Sequence, residues 1–480
     1  MNHHSCRRQG CRAWVVLAAL GFAPDGMALD LPAPATATQA RSVERLTYRA
    51  CVERGLRRSL HVAAARTSLD LYEAKLREAR TGPWPKLSFS GLVSPVPEAI
   101  AGTSGENPFT DYSWDLRTMK PLLAVELSLT QPIWTFGKLS ALRGMAERGV
   151  DVAHAVTKMA EDELRYQVAR AYWGLVLYEA SKEMIADGQR LLVDQRERLA
   201  KLKETNDDGY NPSDEARLET YAAEVEDKVR GAERSRNLAL GALRIALDQP
   251  DLALEVADTE LQPPEFPLGE AAVYEALALA NQPQLLALRG GVAAKLHHVN
   301  LYEANLFPDI AFVARLADAR VIGRKTEEDS AAANPYNPAQ SLAGLAVRWN
   351  LDFARTLAQR DQVRAEYRAI ELKERAEHDV VRMDVRRLWG ELRDLRAMVG
   401  VQERAMKAAR GWLLAESQSW EDGFQEFAEV LRATEAWYRR RLAWLQAQYD
   451  LQVAIAALSR AVGADITAVA PAESSGRAVR

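Results

Sequence analysis

Few side chains in this sequence could do bond-making chemistry, and those few are badly placed for it. His297 and His298 are neighbours in a helical stretch and so point about 100° apart, which does not make a chelating pair. His154 and His378 stand singly on charged faces. Cys51 is the one cysteine outside the N-terminal segment that holds Cys6 and Cys11, and on an amphipathic helix it reads as a packing thiol rather than a nucleophile. Arg439, Arg440 and Arg441 read as the solvated face of a charged rod. There is no phosphate loop, metal-ligand cluster or nucleophile elbow. The pattern calls for no catalytic residue, no metal and no cofactor, and an enzyme is not the expected class.

Aromatic residues form a different constellation. Trp84, Trp134, Phe136, Phe307 and Phe353 gather where short alternating segments meet helical ones. Such residues could seat a protein at a membrane-water interface. They could equally plug the core between a hairpin and its helices.

The elements that must position these residues are long helices. From Phe353 to Ser419 no proline occurs, and Val381, Val385, Leu388, Leu392, Leu395 and Val399 keep the 3.5-residue period of a coiled-coil seam. At 1.5 Å per residue that helix is roughly 100 Å long. Charged residues such as Arg382, Asp384, Arg386, Glu391 and Arg393 fill its other faces, so it is no membrane span. The stretch from Lys138 to Glu204 has the same rhythm in Leu164, Val168, Ala171, Leu175, Tyr178, Ile185, Leu192 and Leu199. A turn over Thr205 to Ser213 leads into a return helix with Leu218, Ala222, Val225, Val229 and Ala232.

The chain reads as one unit written twice. Arg66 and Pro85 are matched by Arg289 and Pro308 at an offset of 223, Trp173-Gly174 by Trp389-Gly390 at 216, and Asp208-Gly209-Tyr210 by Asp422-Gly423-Phe424 at 214. The repeats span 42–250 and 268–465, joined by a connector at 251–267 and followed by a tail at 466–480. Each contains a helix pair expected to break near Ser59 in the first repeat, then two alternating strands, then a helical hairpin. The strands are expected at about 86–101, 120–133, 309–322 and 341–352. The polar loops Gly102 to Met119 and Gly323 to Gln340 join them in pairs. Arg348 and Asn350 are expected on the face opposite Trp349 and Leu351.

Arg7, Arg8 and Arg12 before the apolar run Ala13 to Ala23, with Gly26-Met27-Ala28 after it, read as a signal peptide over 1–28, followed by a linker at 29–41. Cleavage there removes three Arg and one Asp and takes the formal charge from −4 to −6, a balance that argues against nucleic acid as partner. A single remaining cysteine permits no internal disulfide.

Four strands do not close a barrel, and an open edge in lipid leaves backbone groups unpaired at several kcal/mol each. If the strands span a membrane, the chain must oligomerise, and three copies would supply twelve strands.

The junction Leu129-Thr130-Gln131-Pro132-Ile133-Trp134-Thr135-Phe136-Gly137-Lys138 resembles the strand-to-helix junction of the TolC family of outer-membrane efflux proteins. That junction often reads leucine-serine-glutamine-proline, two apolar residues, then a glycine-rich turn and a basic residue. Trp420-Glu421-Asp422-Gly423 followed by Glu429-Val430-Leu431 is similar to the family's helix-turn motif. The resemblance covers nearly the whole mature chain.

It implies a mainly α fold with a β-barrel part. A homotrimer would set a twelve-stranded barrel in the bacterial outer membrane and an α-helical tunnel in the periplasm. It implies the passive exit duct of a tripartite efflux or type I secretion system, with a periplasmic adaptor (membrane fusion) protein, an inner-membrane pump and outer-membrane lipid as partners.

The resemblance also implies particular sites. Acidic residues just past the second helix turn ring the periplasmic aperture in that family. Glu429 keeps the first position, Arg432 replaces the usual aspartate at the second, and Glu215 is the first-repeat equivalent of Glu429. Pairing of Glu429 with Arg432 at i, i+3 would neutralise the ring at about 0.2–0.5 kcal/mol per pair; plain solvated helix charges are the other reading. The turn tips Asp208, Gly209 and Tyr210, with Asp422, Gly423 and Phe424, are the implied adaptor contacts. Glycine there supplies the left-handed backbone that a helix-ending turn needs. The rival to a channel is a periplasmic or surface coiled-coil scaffold without a pore, its strands forming a small subdomain.

Overall fold

The computed structural model describes residues 43–96, 98–100, 111–113, 117, 119–205, 210, 212–323, 339–422 and 424–468. The expected signal peptide and linker, most of both strand-connecting loops, the tip residues Asp208, Gly209 and Gly423, and the tail beyond Ala468 lie outside the described residues.

In chain order the elements are β1 (Glu44–Leu46), α1 (Tyr48–Arg58), α2 (Leu60–Thr81), β2 (Lys86–Val96), β3 (Glu98–Ile100), β4 (Asp111–Ser113), β5 (Lys120–Trp134), α3 (Lys138–Glu204) and α4 (Pro212–Ala246). Then come β6 (Leu254–Val256), α5 (Ala271–Asn281), α6 (Pro283–Ala304), β7 (Asp309–Val321), β8 (Ala339–Arg348), α7 (Phe353–Glu421) and α8 (Phe427–Val462), with a 3-10 turn at Ile466–Ala468. The helices of the two halves have lengths of 11, 22, 67 and 35 residues and of 11, 22, 69 and 36 residues, in the same order.

The 3.5-residue seams become the cores. Val381, Val385, Leu388 and Leu392 of α7 are buried against Leu451, Ile455, Leu458 and Val462 of α8. Leu164, Val168, Tyr172 and Val176 of α3 are buried with Cys51, Val62, Leu243 and Leu247. Toward the helix turns the core thins to Leu192, Leu218 and Tyr221, and Val225 and Val229 are only half-buried. Leu238 and Ile245 of α4 and Leu372, Val380, Met383 and Leu414 of α7 stay exposed, so one chain leaves apolar helix surface uncovered. Helix α3 lies against α4 and α8, and α7 against α8, while α2 and α6 pack on α3.

Four sequence expectations need correction. Residues 44–46 are not the start of a helix: they form β1, which pairs in parallel with β6 inside the connector, Glu44 opposite Leu254, and α1 begins only at Tyr48 behind a Thr47 cap. The partner lies 210 residues away, so no local period could reveal the pair.

The first long strand ends at Val96 rather than near residue 101. Pro95 stands opposite Pro121, two residues without an N–H to donate, and 98–100 pairs instead with β4 in a separate sheet. The last strand ends at Arg348, not at 352, because Trp349 turns its Nε1 to the Leu306 carbonyl at 3.1 Å and Asp352 caps α7 by accepting from the Arg355 N–H at 3.3 Å. Ile466, read as the first residue of a loose tail, is fully buried in the α7–α8 core.

Candidate functional site

The main sheet has the order β2-β5-β7-β8, antiparallel throughout, with both edge strands unpaired among the described residues. The period of two sorts its side chains by face. The pairings Leu87 with Leu129, Phe89 with Leu127, Leu127 with Leu316, and Phe312 with Leu345 place a band of leucine, valine and phenylalanine on one face. Its members Phe89, Val93, Leu316, Leu345 and Val347 are all more than half exposed. The other face holds Ser88, Ser90, Glu126, Ser128, Thr130, Arg315, Gln340 and Arg348, interrupted by Leu92, Leu122, Val313, Val321 and Leu342, while the apolar face carries an ion pair, Asp318 with Arg320 at 3.0 Å, toward its loop end.

Polar contacts on that second face are made across strands. Ser88 and Ser128 share a hydrogen bond of 2.7 Å. Arg315 donates to Glu126 at 2.6 Å, an ion pair that links a strand of the first repeat to one of the second. Arg348 falls on the polar face as the alternation predicts, while Asn350 lies beyond the strand, its side chain accepting from the Asp352 N–H at 3.2 Å.

Of the five aromatic residues, Phe136 touches Trp134 and Phe307 at the helix-proximal end of the sheet, and Phe353 meets Trp349. Phe136 stacks on Phe307 with centroids 5.2 Å apart, Trp134 meets Phe136 edge-on at 6.1 Å, and Trp349 meets Phe353 edge-on at 6.0 Å. Trp84, Trp134, Phe136, Phe307 and Phe353 are all exposed, which a core plug would not be. A register shift at Pro132/Trp134 sets Trp134 opposite Ile310, so the bulge turns Trp134 to the apolar face.

The junction motif has a structural task for each part. Gln131 donates to the Pro83 carbonyl at 2.8 Å. Phe136 and Gly137 take φ of 50° and 93°, reversing the chain so that α3 can start. Lys138 reaches the Phe307 carbonyl at 3.0 Å and Asp309 Oδ1 at 2.8 Å.

At the far end of the helices, each predicted aperture residue is engaged within the chain. Glu429 pairs with Arg432 at 2.8 Å. Glu215 is held by Lys203 at 3.0 Å and accepts from the Tyr210 hydroxyl at 2.8 Å. The Tyr210 hydrogen bond first, and Lys203 second, hold the Glu215 carboxyl below its ordinary range. The first turns of α4 and α8 face one another across a shallow cavity lined by Arg217, Tyr221, Ala428 and Leu431. Of the tip residues, Asp422 and Phe424 are exposed, Phe424 to 83%, whereas Tyr210 is half-buried and bonded to Glu215.

Sequence reasoning missed the ties that lie across the hairpins. Arg196 makes two 3.0 Å bonds to Glu219, and the Arg198 guanidinium sits 4.0 Å over the Trp420 ring. Nothing in the local pattern marks these pairs, since their partners are set by which helices pack together. Cys51 and His298 lie in packed surroundings. Burial pushes the Cys51 thiol up to about 12, and His298 rests edge-on against Tyr302 at 5.1 Å. Among the described residues no group of His, Cys, Asp or Glu could hold a metal ion, and no helix is long and apolar enough to cross a membrane.

Comparison with solved structures finds the same fold, a duplicated helical hairpin joined to a small antiparallel sheet, in other proteins. The outer-membrane channel OprN superposes with a TM-score of 0.72 at 17% identity over 88% of this chain and 93% of that one. The outer membrane protein VceC of Vibrio cholerae gives 0.71 at 18% identity over 87% and 96%. The MtrE outer membrane channel of Neisseria gonorrhoeae, in its open state, gives 0.69 at 17% identity over 88% and 89%. No curated protein matches in sequence. Residues 276–464, which make up most of the second repeat, match the family model for outer membrane efflux proteins.

Proposed function

We propose that this chain is the outer-membrane exit duct of an efflux or secretion assembly, passively conducting substrate from a periplasmic adaptor and an inner-membrane pump to the outside. The observation that carries the reading is the four-stranded sheet: mainly apolar on one face, richer in polar residues on the other, unpaired at both edges among the described residues, and continuous with helices roughly 100 Å long. In lipid the two open edges must be paired, and further copies of the chain supply that pairing by symmetry. A trimer closes the sheet into twelve strands with the apolar face outward and the polar face around water.

The exposed aromatic cluster would then lie at the periplasmic membrane interface. Glu215, Glu429 and Arg432 would line the periplasmic aperture as neutralised pairs rather than as a bare acidic ring. The tips, Phe424 foremost because its side chain is exposed, would seat the adaptor. The family match over the second repeat and the shared fold support the reading, as does the exposure of residues that a soluble scaffold would cover.

Detergent extraction tests the central claim: the protein should leave outer-membrane fractions only with detergent and run as an oligomer that shifts on boiling. A monomer released in an aqueous periplasmic extract would sink it. A photoreactive side chain at position 424 should capture a periplasmic protein in cells carrying the neighbouring transporter; capture at an exposed mid-helix position such as 383 but not at 424 would count against the tip assignment.

A further inference from the structure

The polar face of the main sheet carries six charged side chains in its described strands: Lys86, Lys120, Glu126, Asp309, Arg315 and Arg348. Both carboxylates are already compensated. Glu126 is held by Arg315 at 2.6 Å and Asp309 by Lys138 at 2.8 Å. Lys120 stands at the loop end. Lys86 and Arg348 stand at the opposite, helix-proximal end, both exposed; Arg348 lies across from Asp309 in the β7–β8 pair, but Asp309 is engaged by Lys138 and no ion pair with a described carboxylate engages Lys86 or Arg348.

Their positions in the strand order make them more than scattered surface charges. Lys86 is the first residue of β2 and Arg348 the last of β8, and these strands are the two edges of the sheet, unpaired among the described residues. Strand β2 runs antiparallel to β8, as follows from the three antiparallel pairings between them. When copies of the chain join edge to edge, β8 of one meets β2 of the next in antiparallel sense. Lys86 and Arg348 then come from the same end and the same face. Like charges facing across a strand pair are unfavourable unless an anion lies between them, and rings of Lys and Arg are how pores favour anions.

We propose that Lys86 and Arg348 form a cationic collar at the helix-proximal mouth of the barrel interior, and that it makes the barrel favour anionic solutes, carboxylates and phosphates included. The collar rests on the closed-barrel reading proposed above.

The full-length chain, purified from outer membranes and inserted in a planar bilayer, provides the test through its reversal potential in a potassium chloride gradient. Wild type should pass chloride in preference to potassium. Lys86→Gln/Arg348→Gln should lower the chloride-to-potassium permeability ratio about twofold, each single substitution giving part of the change. Glu126→Gln, which frees Arg315 on the same face, should raise that ratio. A wild-type channel that prefers potassium, or a double variant with an unchanged reversal potential, overturns the collar and leaves the channel reading intact. A folded, membrane-extracted protein that conducts nothing overturns the channel reading and the collar with it.

Discussion

Lys138, the first residue of α3, lies 2.8 Å from Asp309, the first residue of β7. The contact ties the strand-to-helix junction of the first repeat to the point where the second repeat enters the sheet. Asp309 Oδ1 is shielded from solvent and has no aligned hydrogen-bond donor, so the charge of Lys138 is what compensates it. Lys138→Met should cost about 1–2 kcal/mol, the range for a charged contact reduced because Asp309 is partly exposed. The double variant Lys138→Met/Asp309→Asn should recover part of the loss. Thermal unfolding of the detergent-extracted protein reads both values.

The end of the first hairpin should respond to pH from both sides. Glu215 has a depressed folded value, so its contribution is present above the ordinary carboxylate range and is lost as pH falls through the depressed one. Lys203 is raised, chiefly by Glu215, so its contribution is present below the ordinary lysine range and is lost as pH rises through the raised one. The clasp is therefore complete from about pH 5 to about pH 10. Amide exchange in the last turn of α3 and first turn of α4, corrected for intrinsic rates, should quicken below that window. In Glu215→Gln it should be fast already at neutral pH; protection equal to wild type would remove the clasp.

Arg198 over Trp420 joins the ends of α3 and α7, and so one repeat to the other. Trp420→Ala should remove about 0.5–1 kcal/mol of attraction and widen the distance distribution between spin labels on the two helix ends. Trp420→Phe should retain part of the wild-type distribution. Identical distributions in all three proteins would show that other contacts set the spacing.

Gly463 ends α8 with φ of 73°, and a Cβ there would stand 2.5 Å from the Asn281 carbonyl oxygen. Lys158 also donates to the Gly463 carbonyl at 2.7 Å, so the turn cannot move aside freely. Gly463→Ala should cost at least about 1–3 kcal/mol. Gly231→Ala, a helical site where a Cβ meets nothing, should be neutral or stabilising by up to about 1 kcal/mol. Parallel denaturation curves for the two variants would separate the close approach at Gly463 from a general effect of losing a glycine.

The helices of this protein were legible because each is specified by residues close together in the chain. The seam of α7 and the run of α3 from Lys138 to Glu204 repeat every few residues, and the period needs no distant partner to be read. The same holds for the alternation of β2, β5, β7 and β8, and for the pairing of Glu429 with Arg432 one turn away.

What only the tertiary structure decided involves residues far apart in sequence. The parallel pair β1–β6, the Lys138–Asp309 and Glu126–Arg315 ties between repeats, and the Arg198–Trp420 contact all depend on which elements become neighbours. The Pro132/Trp134 bulge depends likewise on strand register. Periodicity tells a strand or helix which of its faces must be covered; the covering partner and its register follow from packing the whole chain at once, and no local stretch contains that information.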